Sequence, residues 1–545
     1  MRLDYNHKTG AFLLRVSRAE ANVHSLMEEH GFDLSVPEST KDLAVLFTHE
    51  PYAAAAFAPY ATERAQEALL TITTEIDKSR ASAGTGHYEV PAGKELWPFQ
   101  VANLDYAMPR HNTLVADEPG LGKTEVAIVY ANALQAKRVC VVVPANIRRQ
   151  WVERIREWTT MRWPYTIHMI RSSRDGVSPV ANWTVLSYEL ARSAPIWRAL
   201  AKRQFDLVIL DEGHYLKTID AKRTRAVFGG GDHPIAEPLA ERAEHIMALT
   251  GTPLPNRPRE AYTLARGLCF DSIDWMSEES FRTRFNPSIT IDFHDKRTGQ
   301  VIGRRIDERT GRHAELQARL RTWFMTRHLK REVLPQLKLP IYDLIQIDDD
   351  GHAVKAALAA EKLLDIDPEA LEGADAAILG QVATVRRMMG IAMAPLVADH
   401  IDMLIDGGEE KLVVFAWHTE VLDILEARLK QHGVVRFHAG QNLKNDRKKE
   451  AFITEPKCRI IMGNVLTLGT GTDGLQKVAN HALIAEPDWV PGNNVQCFDR
   501  LDRGGQTRQV QGDIFVVVGS IAEKVLASAL RKMQTTHKVL DGKPA

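Results

Sequence analysis

Four cysteines in 545 residues, at positions 140, 269, 458 and 497, are too few and too scattered for a disulfide scaffold. None forms a CxxC pair or sits beside a histidine array, which excludes the common zinc-site patterns and leaves reduced, mostly buried thiols. An excess of charge of one sign is also missing: 69 Lys and Arg face 70 Asp and Glu, for a formal net charge of −1. No global positive field therefore announces a polyanionic partner, and any phosphate-binding surface must be a local patch. No apolar run is read as approaching the roughly 20 residues of a bilayer span, and residues 1–10 lack a signal-peptide core. The expectation is a cytoplasmic protein, whether in the nucleoid or a host cytoplasm. A repeat of fixed period and an extended low-complexity tract are absent too, although residues 229–231 read as a flexible glycine loop.

What is present is ordinary globular composition, 44% hydrophobic and 26% charged, in a chain too long for one core. Residues 1–90 read as a small α+β accessory domain. Within it an apolar strand at 12–16 is followed by a helix burying Val23, Leu26, Met27 and His30. Ser17 and Glu20 form its capping box and Gly31 stops it. Residues 78–93, rich in Ser, Ala and Gly, read as the linker that closes this unit.

Beyond Leu96, short apolar runs alternate with amphipathic helices, the pattern of a parallel sheet covered on both faces. Strands are expected at 113–116, 138–143, 184–187, 205–210 and 245–249, giving a doubly wound α/β lobe over 91–268. Residues 269–336 break the pattern with charged and aromatic sequence and read as a helical insertion. There Arg282, Arg284, Arg304 and Arg305 either add to a nucleic-acid track or form a solvated basic face. A second alternating block over 337–545, with strands at 411–416, 459–462, 481–485 and 513–518, predicts a second lobe of the same kind.

The sequence DEPGLGKT at 117–124 lies between a strand and a helix with apolar Val126, Val129, Tyr130 and Ala133, the context that a phosphate-binding loop requires. Gly120 and Gly122 let backbone amides approach phosphates around Leu121, Lys123 supplies charge to the outer phosphates, and Thr124 supplies a Mg2+ ligand at a helix N-terminus. Asp117 stands where the general pattern has its first glycine, so a chance glycine-rich turn is the competing interpretation. A buried-strand run then ends in Asp211-Glu212-Gly213-His214, placing two carboxylates at the carboxyl end of a parallel strand. Asp211 is the candidate metal ligand and Glu212 the candidate base for an attacking water. An Asp-Glu pair in isolation is more often a solvated loop, but the intervening alternating structure connects it to Lys123.

The order of these motifs resembles superfamily 2, and in detail the Swi/Snf-type DNA translocases, from about residue 96 to 519. That resemblance implies two tandem RecA-like lobes with ATP and Mg2+ as ligands and duplex or forked DNA as a largely sequence-independent partner. Leu96 to Gln100 looks like the group's adenine-sensing element, and DEPGLGKT matches its own loop, Asp117 included. VVVPANIRRQW at 141–151 resembles the motif whose loop touches a DNA strand, which implicates Pro144, Asn146 and Arg148 as contacts; the competing interpretation is a strand followed by a basic surface helix. LTGTPLPN at 249–256 resembles the motif coupling hydrolysis to lobe movement, with Thr250 and Thr252 bridging the sites and His214 sharing that role.

In the second lobe LGTGTDGL at 468–475 is a looser match that offers Thr470 for DNA and Gly474 for nucleotide. QCFDRLDRGGQ at 496–506 fits QxxDRxxRxGQ, with Gln496 at the nucleotide and Arg500 and Arg503 as arginine fingers. Such guanidiniums supply about 10³ to 10⁵ in rate. FMTRHLKREVLPQLKLP at 324–340 and the FAWH tetrad at Phe415 further resemble the annealing-helicase, or HARP-like, branch, which implies strand annealing, fork remodelling, repair or recombination. Two readings remain beside this one: a strand-separating DNA or RNA helicase, and a non-catalytic, nucleotide-switched DNA-binding or recruitment module.

Overall fold

In the computed structural model the described residues are 1–19, 22–30, 32–160, 165–230, 238–254, 257–294, 301–308, 312–347, 351–364, 376–439, 442–469, 472–488, 491–520, 522–523, 526 and 540. Two wholly parallel sheets with helices on both faces follow a small antiparallel one, so the chain has the α/β architecture of two RecA-like lobes. The first parallel sheet runs Met325–Thr326, Asn112–Val115, Ala243–Leu249, Phe205–Asp211, Val139–Val143, Trp183–Ser187, Ile167–Met169 from edge to edge. Its solid apolar runs follow from double coverage. Val139, Val141 and Val143 enter one core while Cys140 and Val142 enter the other, so both faces of this strand are apolar.

The second sheet runs Ile341–Ile347, Gln511–Val517, His481–Ile484, Leu412–Ala416, Ile460–Asn464, Val434–Arg436. Here Leu412, Val414 and Ala416 face one core, and Val413 and Phe415 the other. The strands read from the sequence fall within two residues of those observed in both lobes. The four-stranded antiparallel sheet before them has the order Arg2–Asn6, Ala11–Ser17, Leu43–Thr48, Asp33–Leu34.

Several expectations need correction. Ser17 ends a strand rather than capping a helix; Asn22 Oδ1 accepts from the amides of His24 and Ser25 and starts the helix Val23–His30. Glu20 and Gly31 lie outside the described residues. Residues 78–80 are not linker but the last turn of Glu63–Arg80. Ser79 Oγ donates to the Met325 carbonyl there and Arg80 to Gln317, fastening the first domain onto the first lobe. The following segment, though irregular, is held by Asp105, which accepts from the amides of Thr85 and Gly86 and from the Tyr88 hydroxyl.

The stretch read as a helical insertion is partly lobe and partly a separate antiparallel pair of strands, Ser288–His294 with Val301–Glu308. Phe281 and Phe285 are core residues, and Met325–Thr326 adds an edge strand beside Asn112–Val115. Leu540 likewise returns to the first lobe, where its carbonyl accepts from Gln317 and Arg321 and its side chain joins the core. The stretch Gly380–Asp406 of the helix Ala376–Asp406 is long and apolar enough, by length and composition, to cross a bilayer, against the expectation of no such run. Met393, Val397, Ile401 and Ile405 of that helix are buried over the second sheet.

Candidate active site between the two lobes

The strand Asn112–Val115 ends in the glycine-rich loop, and Gly122 caps the helix Lys123–Ala133 in a left-handed conformation, φ +76°. Both loop glycines are required by contacts as well as by dihedral angle. A Cβ at Gly122 would lie 2.3 Å from Gln100 Nε2, and one at Gly120, φ +87°, would lie 2.6 Å from Arg503 Cβ of the other lobe. The loop and the second lobe are therefore in direct apposition. Lys123 Nζ donates to the carbonyls of Asp117 at 2.7 Å and Glu118 at 3.1 Å. Burial lowers its pKa, opposed by the carboxylates of Glu212, Asp117 and Asp211.

Ala243–Leu249 lies between the loop-bearing strand and Phe205–Asp211, so all three present their carboxyl ends to one cleft. Asp211 Oδ2 accepts from Trp151 Nε1 at 2.7 Å and Oδ1 from the Glu212 amide at 2.9 Å. Burial and the adjacent Glu212 push the Asp211 carboxyl up; Trp151 and Lys123 oppose this. Glu212 sits at φ +51°, an uncommon conformation for a residue with a side chain. Burial raises its carboxyl, but His214 and Lys123 outweigh that and hold it below its usual value. From Glu212 a line of contacts runs to His214 Nδ1 at 3.2 Å, to Thr250 Oγ1 at 3.0 Å and to the Thr252 amide at 3.1 Å. The two motifs read as coupling elements are thus physically joined. Pro255 and Asn256 of that motif lie outside the described residues.

Across the cleft the helix Pro491–Phe498 leads into the turn carrying Arg500 and Arg503. Arg500 Nε donates to the Gln496 carbonyl at 3.3 Å, and burial together with Arg503 pushes its pKa down to about 10. Arg503 donates to the Asp499 carbonyl at 3.0 Å and to Asp473 Oδ1 at 2.9 Å. The cleft, of about 840 Å³, is lined from one side by Lys123, Thr124, Asp211 and Glu212 and from the other by Gly474, Gln496, Arg500 and Arg503. The donor set suits a triphosphate with a divalent cation: a cradle that a Cβ would fill, a hydroxyl and a carboxylate on one wall, and two guanidiniums opposite.

Gln100 also lines this cleft; its amide accepts from the Trp97 amide and donates to the Leu121 and Gly122 carbonyls, so it braces the loop from within the site. Other assigned residues are placed differently. Asp117 is fully buried behind the loop rather than facing the cleft, accepting from Asn103 Nδ2 at 2.6 Å and from the His328 amide at 3.0 Å, with His328 Nδ1 at 2.8 Å. Burial raises its carboxyl, yet His328, Lys123 and Asn103 hold it below the usual range. Arg148 donates to the carbonyls of Ala145, Ile170 and Arg171, so its guanidinium serves its own lobe. Pro144 is buried, whereas Asn146 lines the cleft. Arg284 forms a two-pronged pair with Glu315, at 2.9 and 2.8 Å, which removes it from any external track. Thr470 and the side chains of Arg304 and Arg305 lie outside the described residues.

Sequence reasoning missed Trp151, His328 and Lys330. Lys330 is buried: its amide donates to Glu118 Oε2 at 2.6 Å, and its ammonium meets Asp499 and, at 2.8 Å, Asp502. Glu118 belongs to the loop and the two aspartates flank Arg500 and Arg503, so one residue holds both halves of the site. The segment FMTRHLKREVLPQLKLP, read only for its family resemblance, carries His328 and Lys330 and is the signal that could have found them.

The profile of the SNF2-related domain matches residues 26–348. The chain belongs to the SNF2-related family. It carries a superfamily 2 ATPase domain of Swi/Snf type. It is 28% identical over 463 residues to the DNA annealing helicase and endonuclease ZRANB3 of Mus musculus, covering 82% of this chain and 41% of that protein. It is 28% identical over 464 residues to the SWI/SNF-related matrix-associated actin-dependent regulator of chromatin subfamily A-like protein 1 of Xenopus tropicalis, covering 82% and 45%. The chain therefore spans less than half the length of these relatives. The Sulfolobus solfataricus SWI2/SNF2 ATPase core in complex with dsDNA is similar at 16% identity and a TM-score of 0.39, over 84% of this chain and 99% of that one.

Proposed function

We propose that this chain is an ATP-dependent DNA translocase that hydrolyses ATP between its lobes and steps along duplex or branched DNA. The observation that carries the reading is the shared cleft, in which Lys123, Asp211 and Glu212 face Arg500 and Arg503. Lys123 holds the outer phosphates and, in doing so, exchanges its loop carbonyls for phosphate oxygens. Thr124 and Asp211 would hold Mg2+, which neutralises charge on the phosphates when bound. Glu212, kept ionised by His214 and Lys123, orients the attacking water and takes its proton. Arg500 and Arg503 stabilise the charge spreading over the transferring phosphoryl group. The contact line from Glu212 through His214 to Thr250 and Thr252 carries the change in the site to the next motif.

DNA is the proposed partner, with Asn146 and Thr470 the proposed contacts on its backbone. Because phosphate contacts dominate such binding, affinity should fall steeply with salt and depend little on sequence. The name DNA annealing helicase, borne by one relative, together with the 324–340 segment, supports rewinding of forks or branch migration over processive unwinding. ATPase rates measured with duplex, forked and single-stranded DNA and with RNA test this reading. Duplex or forked DNA should stimulate most; preferential stimulation by RNA would refute it. A Glu212→Gln variant that hydrolyses ATP like the wild type would refute the assigned base.

A further inference from the structure

Asp473 has no role in the mechanism above, yet its carboxylate is shared by guanidiniums from opposite lobes. Arg154 Nη2 approaches Oδ2 at 2.5 Å, and Arg503 Nη1 approaches Oδ1 at 2.9 Å. Arg154 belongs to the helix Arg148–Trp158 of the first lobe and also faces Glu125 at 3.8 Å, two residues beyond Lys123. A chain of alternating charge, Glu125–Arg154–Asp473–Arg503, therefore starts on the helix of the phosphate loop, crosses the cleft and ends on a finger. Burial would raise the Asp473 carboxyl, but the two guanidiniums outweigh it and hold it far below its usual range. Asp473 also offsets a crowding of positive charge. Arg503 already depresses Arg500, and Arg154 and Lys123 line the same cleft. Arg503 packs against Gly120 and its Nε is held by the Asp499 carbonyl of its own lobe, so the outer end of the guanidinium is aimed by Asp473, the partner that is also tied to the first lobe.

We propose that Asp473 is a positioning residue for hydrolysis: it aims Arg503 at the phosphate loop and makes that aim depend on the first lobe through Arg154. The inference rests on the ATPase reading and adds to it a charged tie between the lobes. Substrate binding rests on the loop and Lys123, so loss of the tie acts on kcat and leaves KM for ATP nearly unchanged.

The test uses the full chain with duplex DNA and compares D473N, D473E, R154Q and the D473N/R154Q double variant with wild type and Lys123→Ala. Steady-state kcat and KM for ATP are measured together with the thermal unfolding midpoint. D473N should lower kcat about tenfold or more, a fraction of a finger's full effect, with KM within about threefold of wild type. Its unfolding midpoint should stay unchanged, and D473E, which restores the charge, should recover part of the rate. R154Q should act in the same direction, and the double variant should be no slower than the slower single, because both remove one linkage. A wild-type kcat in D473N overturns the proposal, as does a loss that Glu fails to rescue and that tracks a lowered unfolding midpoint, or strict additivity of the two singles. A wild-type chain without ATPase activity defeats the functional reading and this inference with it. If the wild type is active, Lys123→Ala is dead and D473N equals wild type, this inference alone fails.

Discussion

Replacing Lys330 by methionine removes one ammonium from a place where two carboxylates depend on it. Lys330, Asp499 and Asp502 are 7%, 4% and 7% exposed, so none of the three is rescued by water. Asp499 already has its carboxyl raised by burial, with Lys330 the main opposing influence. Methionine keeps the length of the stem but leaves Asp499 and Asp502 facing one another in a poorly solvated pocket. Removing one partner of a buried ion pair costs about 3–5 kcal/mol. Proton uptake by one aspartate relieves part of this, so about 3 kcal/mol is expected at neutral pH, or roughly 100-fold in a local opening constant. Hydrogen exchange, read by mass spectrometry on peptides covering 491–506 and 116–122, measures that opening directly. The segment 491–506 should exchange about 100-fold faster in Lys330→Met, whereas 116–122 should change less, because Glu118 is fastened by the Lys330 backbone amide, which methionine keeps. Adding Asp499→Asn and Asp502→Asn to Lys330→Met should recover most of the protection, since an uncharged set carries no unpaired charge. Exchange in Lys330→Met within about threefold of wild type would refute the argument that this triad holds the two halves of the site together.

Other consequences are equally open to measurement. Gly120→Ala places a methyl group 2.6 Å from Arg503 Cβ and strains a left-handed backbone; kcat should fall at least about tenfold while ATP still binds, which a filter-binding assay beside turnover checks. Trp151→Phe deletes the donor that lowers the Asp211 carboxyl, so the acid limb of the ATPase pH profile should move upward by about one pH unit, and an unmoved limb contradicts that role. His328 is raised above its unfolded value of 6.5, so its contribution to stability is complete below that pH and is lost as pH rises through the folded value; Asp117 is lowered and contributes above 3.8, losing it on acidification. Unfolding midpoints in denaturant should therefore decline above pH 6.5 more steeply in the wild type than in His328→Gln, and equal slopes would contradict the pairing.

The legible parts of this molecule are those in which local sequence and final environment agree. VCVVV and LVVFA are covered on both faces and contain nothing polar, so their strand character is plain in the chain. The loop at 117–124 and the pair Asp211-Glu212 are legible for a related reason: the proposed phosphate and metal chemistry tolerates few residue types at those positions. Where reading failed, the deciding partner was distant in sequence. Asp117 looks like a nucleotide contact until His328, 211 residues away, turns it inward. Arg148 looks like a free basic group until the carbonyls of Ile170 and Arg171 come within reach. Met325–Thr326 is too short to carry a periodicity and becomes a strand only because Asn112–Val115 offers an edge. The helix Ala376–Asp406 was overlooked as a long apolar element because Arg386, Arg387, Asp399 and Asp402 punctuate it, charges that neighbouring Pro487, Glu420, Arg428 and His432 meet.

The central claim is that the loop of one lobe and the guanidiniums of the other act on a single triphosphate. Single-turnover hydrolysis by Arg503→Ala, measured beside wild type on samples whose ATP affinity is determined in parallel, tests it most directly. Binding should persist through Lys123 and the loop amides while the hydrolysis step slows about 10³-fold or more. Bound ATP hydrolysed by Arg503→Ala at the wild-type rate would contradict it.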